Sequence, residues 1–244
     1  NLDKMVFVDK VNLTYDYEFT SQIGLKFYTE YLEQRPLGNM KFVTLAGEEC
    51  TPLTTLTLGG EVRYARGEKV YQIQQNRKVV ASSVAPVFTL GYSYVKALSE
   101  PNYEYHKLLA LIEKRWFFSI LGVADVKLGG GKIFGDAPYP LLFIPRGNQS
   151  LFMEQNSFNL MNYNEFVCDY YAQLSVQYNF NGFIFNRIPL LSKLKLREIL
   201  GFKAIIGGLT DDNDPNIATN TSLFPLPVND EGVVSTTTFG DDPY

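Results

Sequence analysis

From Phe166 to Phe180 every second residue is apolar, a pattern that fits a strand and no helix. Phe166, Cys168, Tyr170, Ala172, Leu174, Val176, Tyr178 and Phe180 make one set, while Asp169, Gln173, Ser175, Gln177 and Asn179 dominate the other. A helix would scatter them around its circumference. The same sorting runs from Tyr17 to Tyr31, where Tyr17, Phe19, Ile23, Leu25, Phe27 and Tyr31 oppose Glu18, Thr20, Gln22, Lys26 and Glu30. It recurs from Thr54 to Ala65 (Leu56, Leu58, Val62, Tyr64) and from Pro86 to Leu98 (Phe88, Leu90, Tyr92, Tyr94, Leu98), the latter interrupted by Lys96. Tyr103 to Phe117 and Gly122 to Phe134 read as a hairpin joined at Phe118 to Leu121, with Asp125 and Lys127 opposite Ala124, Val126 and Leu128. Leu196 to Gly208 is a further strand, and weaker ones are expected at Met5 to Leu13, Met40 to Leu45 and Val70 to Gln74. The total is about ten strands, and the fold class is all-β.

Alternation also occurs in soluble sandwiches, so strand length has to decide between water and lipid. Soluble strands average about 5–6 residues, whereas a tilted strand crossing a bilayer needs about 9–11. Segments that hold one phase for about twelve to fifteen residues favour an antiparallel transmembrane β-barrel. The composition agrees: 18 Phe and 16 Tyr suit strands and membrane interfaces, and no apolar run is long enough for a spanning helix. A net charge of -4 argues against binding dominated by nucleic-acid phosphates. In a barrel, Phe88, Leu90, Phe166, Tyr170, Leu174, Val176 and Tyr178 face lipid, and Asp125, Lys127, Asp169, Gln173 and Gln177 face the lumen. Long irregular stretches near 135–165 and 211–244 read as barrel loops.

Pro138-Tyr-Pro-Leu-Leu142, Ser157-Phe-Asn-Leu-Met-Asn162 and Asn186-Arg-Ile-Pro-Leu190, continuing to Arg197-Glu198, carry a resemblance. Ala85-Pro-Val-Phe-Thr89 and Gly131-Lys-Ile-Phe-Gly135 add to it. Over most of its length the chain resembles the outer-membrane proteins of Bacteroidota-type bacteria that join a carboxypeptidase-regulatory-like domain to a C-terminal β-barrel, domain of unknown function family 5686. The resemblance implies an outer-membrane location, a regulatory-like domain preceding residue 1 and closing strands after Tyr244. The absence of a secretory signal at the start and an ending in a turn, Phe239 to Tyr244, agree with an excerpt of the barrel, incomplete at both ends. Gly131 to Pro138 followed by a long loop is more distantly similar to the BamA-like assembly superfamily, without a convincing match to its inward-loop signature at Arg146-Gly147.

No catalytic set, cofactor site or metal site is expected. Gly129-Gly130-Gly131-Lys132 lacks the first glycine and the final hydroxyl residue of a phosphate loop, so glycines that let a strand bend or pack closely are the reading. Asp211 to Asn216 meets Ile217 where a calcium loop needs glycine, which leaves a solvated turn. His106, the single histidine, has no identifiable nucleophile beside it, and Cys168 reads as a small apolar residue. Arg187, Lys193, Lys195 and Arg197 interleave with Ile188, Leu190, Leu191 and Leu194, a stretch that either sits in water beyond the bilayer or docks on anionic headgroups or a periplasmic partner. The expected function is a non-enzymatic outer-membrane barrel acting as channel, export or assembly device, or anchor, with membrane lipid and a periplasmic or outer-membrane protein as partners. The alternative is a soluble or surface-exposed β-rich module that binds carbohydrate or protein.

Overall fold

Ten strands form among the residues that the computed structural model describes, which are 6–20, 22–37, 41–73, 76–81, 85–150, 154, 157–217, 221–227 and 236. They are β1 (Val6–Thr20), β2 (Ile23–Pro36), β3 (Leu53–Ala65), β4 (Lys69–Ile73), β5 (Asn76–Ala81), β6 (Val87–Ala97), β7 (Glu104–Phe117), β8 (Val123–Gly135), β9 (Tyr170–Asn179) and β10 (Ile199–Gly208). Eight of them make one antiparallel sheet in the order β1-β2-β3-β6-β7-β8-β9-β10, while β4 and β5 pair separately. The sheet is open, with β1 and β10 as its edges, and this corrects the expectation of a closed barrel within the chain. Its strands run from 10 residues in β9 and β10 to 15 in β1.

The connections sort by end. Between Thr20 and Ile23 the chain reverses at one end of the sheet, and Phe117 pairs with Val123 at the same end. The connections that begin at Leu37, Leu98 and Asp136 leave from the opposite end, called here the loop end. Gly122 closes the β7–β8 turn at φ +117°, where a Cβ would lie 2.1 Å from the Asn179 carbonyl oxygen; only glycine fits.

Several expectations change. Tyr17 to Tyr31 is not one strand but the hairpin tip of β1 and β2, hidden because a bulge between Glu18 and Thr20 adds one residue and restores the alternation across the turn. The Met40 to Leu45 strand is absent from the described residues, with only a bridge from Val43 to Glu49. The Phe166 to Phe180 strand begins only at Tyr170, because Val167, Cys168 and Asp169 turn into buried packing. The segment expected from Leu196 is strand only from Ile199, and β5 was not expected at all. Met5, Met40, Gln74 and the tail from 228, apart from Thr236, lie outside the described residues.

The core lies at the loop end. Leu53, Val95, Ala97, Tyr105 and Ile133 come from strand ends, and Phe42, Tyr139, Leu141, Leu142, Val167 and Phe224 fold in from the connections. Phe42 stacks on Phe224 at 5.5 Å between ring centroids, and Tyr103 meets Phe224 edge-on at 6.2 Å. The described part of the long stretch 136–169 is therefore organised, with a short 3-10 turn at Tyr139–Leu141 and bridges from Phe143 to Cys168 and from Gly147 to Phe158. At Gly131 a Cβ would come within 2.8 Å of the Leu109 and Tyr171 side chains, as expected of a glycine that permits close packing.

Candidate functional site

Residues paired directly across a ladder share a face, so the register sorts the whole sheet. One row reads Tyr17, Leu25, Val62, Leu90, Ala110, Gly130, Ala172, Ile206 from edge to edge. A row on the other side reads Glu18, Gly24, Arg63, Thr89, Leu111, Gly129, Gln173, Ile205. The two sides differ in kind.

On the apolar side, large side chains stand uncovered from edge to edge of the sheet: Leu13 of β1 is 75% exposed, Leu90 of β6 53%, and Phe202 and Ile206 of β10 57% and 71%. Its charged residues are confined to strand ends. Asp9, Glu33 and Arg35 cluster at the loop end of β1 and β2, where the Arg35 guanidinium lies 3.3 Å from Asp9 and 2.8 Å from Glu33. Lys96 pairs with Glu104 at 2.6 Å beside the 98–103 connection, and Lys114 and Lys132 each fall within four residues of a strand terminus. The band between them carries no charge. Aromatic side chains stand toward the ends, with Tyr17, Tyr64, Phe88, Trp116 and Tyr178 at one and Phe7, Tyr31, Tyr94, Phe134 and Tyr170 at the other; Tyr15, Phe27, Tyr92 and Phe202 lie nearer the middle. His106, third in β7, also belongs here, stacked near Tyr92 and Tyr94 with its Nδ1 2.7 Å from the Tyr92 hydroxyl.

The polar side carries charges along its strands, several of them in cross-strand pairs. Arg115 grips Asp125 through two contacts of 2.5 and 2.8 Å, Lys127 meets Glu113 at 2.7 Å, and Lys10 meets Glu30 at 2.6 Å. Toward the loop end, described residues of the 136–169 connection lie over this side. Lys107 donates to the Leu141 carbonyl at 3.0 Å, Phe143 meets Tyr171 edge-on at 4.9 Å, and Lys203 of β10 donates to the Glu154 and Ser157 carbonyls at 3.2 and 2.8 Å. Phe158 lies between two cavities. One of about 190 Å³ is lined by Asp125, Lys127, Ser157, Gln173, Gln177 and Lys203, and one of about 240 Å³ by Phe143, Ile144, Arg146, Cys168, Tyr171 and Ile205.

Of the residues expected to face lipid, Phe88, Leu90, Tyr170, Leu174, Val176 and Tyr178 all lie on the apolar side, while Phe166 precedes β9 and lies outside the regular ladder. Of those expected to face a lumen, Asp125, Lys127, Gln173 and Gln177 lie on the polar side. Asp169 shares their phase but is fully buried. Its carboxylate accepts hydrogen bonds from the Thr210 amide at 3.1 Å, from the Thr210 hydroxyl and from Asn213 Nδ2 at 3.0 Å. Asn213 in turn accepts from the Ala137 amide at 2.8 Å and donates to the Gly135 carbonyl at 3.2 Å, which ties the ends of β8, β9 and β10 together. Beside it, burial and the Asp169 charge push the Cys168 thiol up to about 12, which keeps it protonated and unreactive at neutral pH. Sequence reasoning missed this latch, although a Thr and an Asn soon after a predicted strand end were its visible signal.

The class is an all-β protein built on one open antiparallel sheet with an apolar side, a polar side and a packed loop end. The chain belongs to the family of unknown function DUF5686, as its C-terminal domain, with residues 7–208 matched. No curated protein matches it, and no solved structure does.

Proposed function

We propose that the sheet is part of a β-barrel in a bacterial outer membrane, with its apolar side against acyl chains and its polar side toward the lumen. The chain acts there without catalysis, as a membrane anchor and an assembly or export platform for the regulatory-like domain that its family resemblance implies. The single observation behind this reading is the charge-free apolar band across all eight strands of the sheet. Eight strands spaced about 4.8 Å apart, with about seven residues each at 3.3 Å, expose an area on the order of 900 Å². Soluble monomers rarely expose more than a few hundred Å² of contiguous apolar surface. A charge at mid-membrane costs roughly 2–4 kcal/mol, which accounts for charges kept to the strand ends, and aromatic residues near both ends match an interfacial girdle.

Lipid leaves no open sheet edge unpaired, so this reading requires β1 and β10 to be joined through further strands or a second copy. The packed core and the covering 136–169 connection favour anchor or platform over open channel. The test uses Trp116, the one tryptophan, which is 45% exposed on the apolar side. Reconstituted into vesicles with brominated acyl chains, the protein is expected to show quenched, blue-shifted Trp116 emission. A monomer stable in detergent-free buffer with water-like emission overturns the proposal.

A further inference from the structure

The connection between β9 and β10, residues 180–198, lies at the end of the sheet opposite the packed core. It is folded rather than loose. A 3-10 turn at Phe185–Arg187 leads into a single helical turn, α1 (Pro189–Ser192), and the Ser192 amide donates to the Ile188 carbonyl at 2.9 Å. The Glu198 carboxylate accepts from the Phe185 amide, and the Phe180 amide donates to the Glu198 carbonyl at 3.0 Å. This acid is thus turned inward onto its own backbone.

What the connection shows to the outside is apolar and basic. Ile188, Leu190, Leu194 and Leu196 are exposed, Leu190 at 76%. Arg187, Lys193, Lys195 and Arg197 are exposed among them, and no acidic residue occurs from 181 to 197. Most cations of the sheet have a carboxylate partner, as in Arg35 with Glu33, Arg63 with Glu68, Lys96 with Glu104 and Arg115 with Asp125. These four form no ion pair among the described residues; Arg187 instead lies over the Phe183 ring, 3.8 Å from its centroid. The apolar part is continuous with the rim of the sheet. Tyr178 donates to the Leu121 carbonyl at 3.0 Å, stacks near Phe118 and lies tilted against Phe180, which joins β9 to the exposed β7–β8 turn of Phe117, Phe118 and Ile120.

We infer that residues 183–197 form a docking surface for anionic phospholipid headgroups, with the leucine and isoleucine side chains entering the acyl boundary and the four cations reaching up to phosphate. The inference rests on the membrane reading above and adds a lipid preference to it. Long basic side chains bury their stems against apolar surface and keep their heads at headgroup level. Their attraction to an anionic leaflet sums over the residues and weakens with salt.

The full chain is reconstituted into vesicles of phosphatidylcholine alone and of phosphatidylcholine with phosphatidylglycerol, and the lipids that remain bound after transfer to detergent are counted by native mass spectrometry. Wild type is expected to retain phosphatidylglycerol over phosphatidylcholine by on the order of tenfold at low salt, and less at high salt. The variant carrying R187Q, K193Q, K195Q and R197Q is expected to insert equally well into phosphatidylcholine with brominated acyl chains, by Trp116 quenching, and to retain the two lipids at parity. Parity in inserted wild type overturns the inference while sparing the membrane reading, and so does a preference that survives in the variant. Failure of wild type to insert into either vesicle overturns both.

Discussion

Asp169 shows how one side chain's surroundings can reverse a reading made from its position. Its alternation phase is that of Gln173 and Gln177, but the residues after β10 fold back and supply Thr210 and Asn213 as donors, so the carboxylate is sealed instead of wetted. A buried carboxylate with three charge-assisted hydrogen bonds stabilises the fold only while all of them are made. Asp169→Ala removes the acceptor and leaves the Thr210 and Asn213 donors buried without it. The expected loss is about 3 kcal/mol, read as a lowered midpoint of denaturant unfolding in detergent micelles. An unchanged midpoint would show that the latch contributes nothing. Asp169 was legible as a strand-face residue because alternation is local, and its partners were not, since Thr210 lies 41 positions away.

At the scale of the strand, alternation gave sides more reliably than boundaries. The hairpin inside Tyr17 to Tyr31 was invisible because the bulge near Phe19 preserves phase, and Phe166 was misplaced because phase continues through a segment that has left the sheet. The β7–β8 hairpin was legible, because turn and glycine coincide at Gly122. Alternation on β9 also sets up a paired prediction with adjacent positions as mutual controls. Leu174 pairs with Leu128 and Ala204 on the apolar side, and Gln173 pairs with Gly129 and Ile205 on the polar side. Leu174→Arg places a charge in the middle of the band and is expected to cost roughly 2–4 kcal/mol of stability in bilayers, with reduced insertion, whereas Gln173→Arg is expected to insert at near wild-type yield. Folding into vesicles, followed by heat-dependent migration on gels, reads both. Equal behaviour of the two variants would mean that the sides do not meet different solvents.

For the whole molecule, the sheet's sidedness was readable from sequence, whereas the filling of its polar side was not. Leu53, Val95, Tyr105 and Ile133 occupy polar-side positions at the loop end, and their apolar character makes sense only once Phe42, Tyr139, Leu142 and Phe224 arrive from distant connections to cover them. In the barrel proposed above, a lumen filled in this way conducts poorly until a connection moves. Lys203 is the point at which β10 holds Glu154 and Ser157, through their two carbonyls, and with Ser157 it lines the smaller cavity. Hydrogen bonds from a charged donor contribute about 1.5–3 kcal/mol each, so losing both shifts the loop's closed population substantially. In planar bilayers, wild type is therefore expected to show small, rare openings, and Lys203→Ala longer and larger ones at an unchanged insertion yield. Steady large currents in wild type would mean that the connection does not obstruct the lumen, and unaltered openings in Lys203→Ala would mean that something other than Lys203 keeps the loop seated.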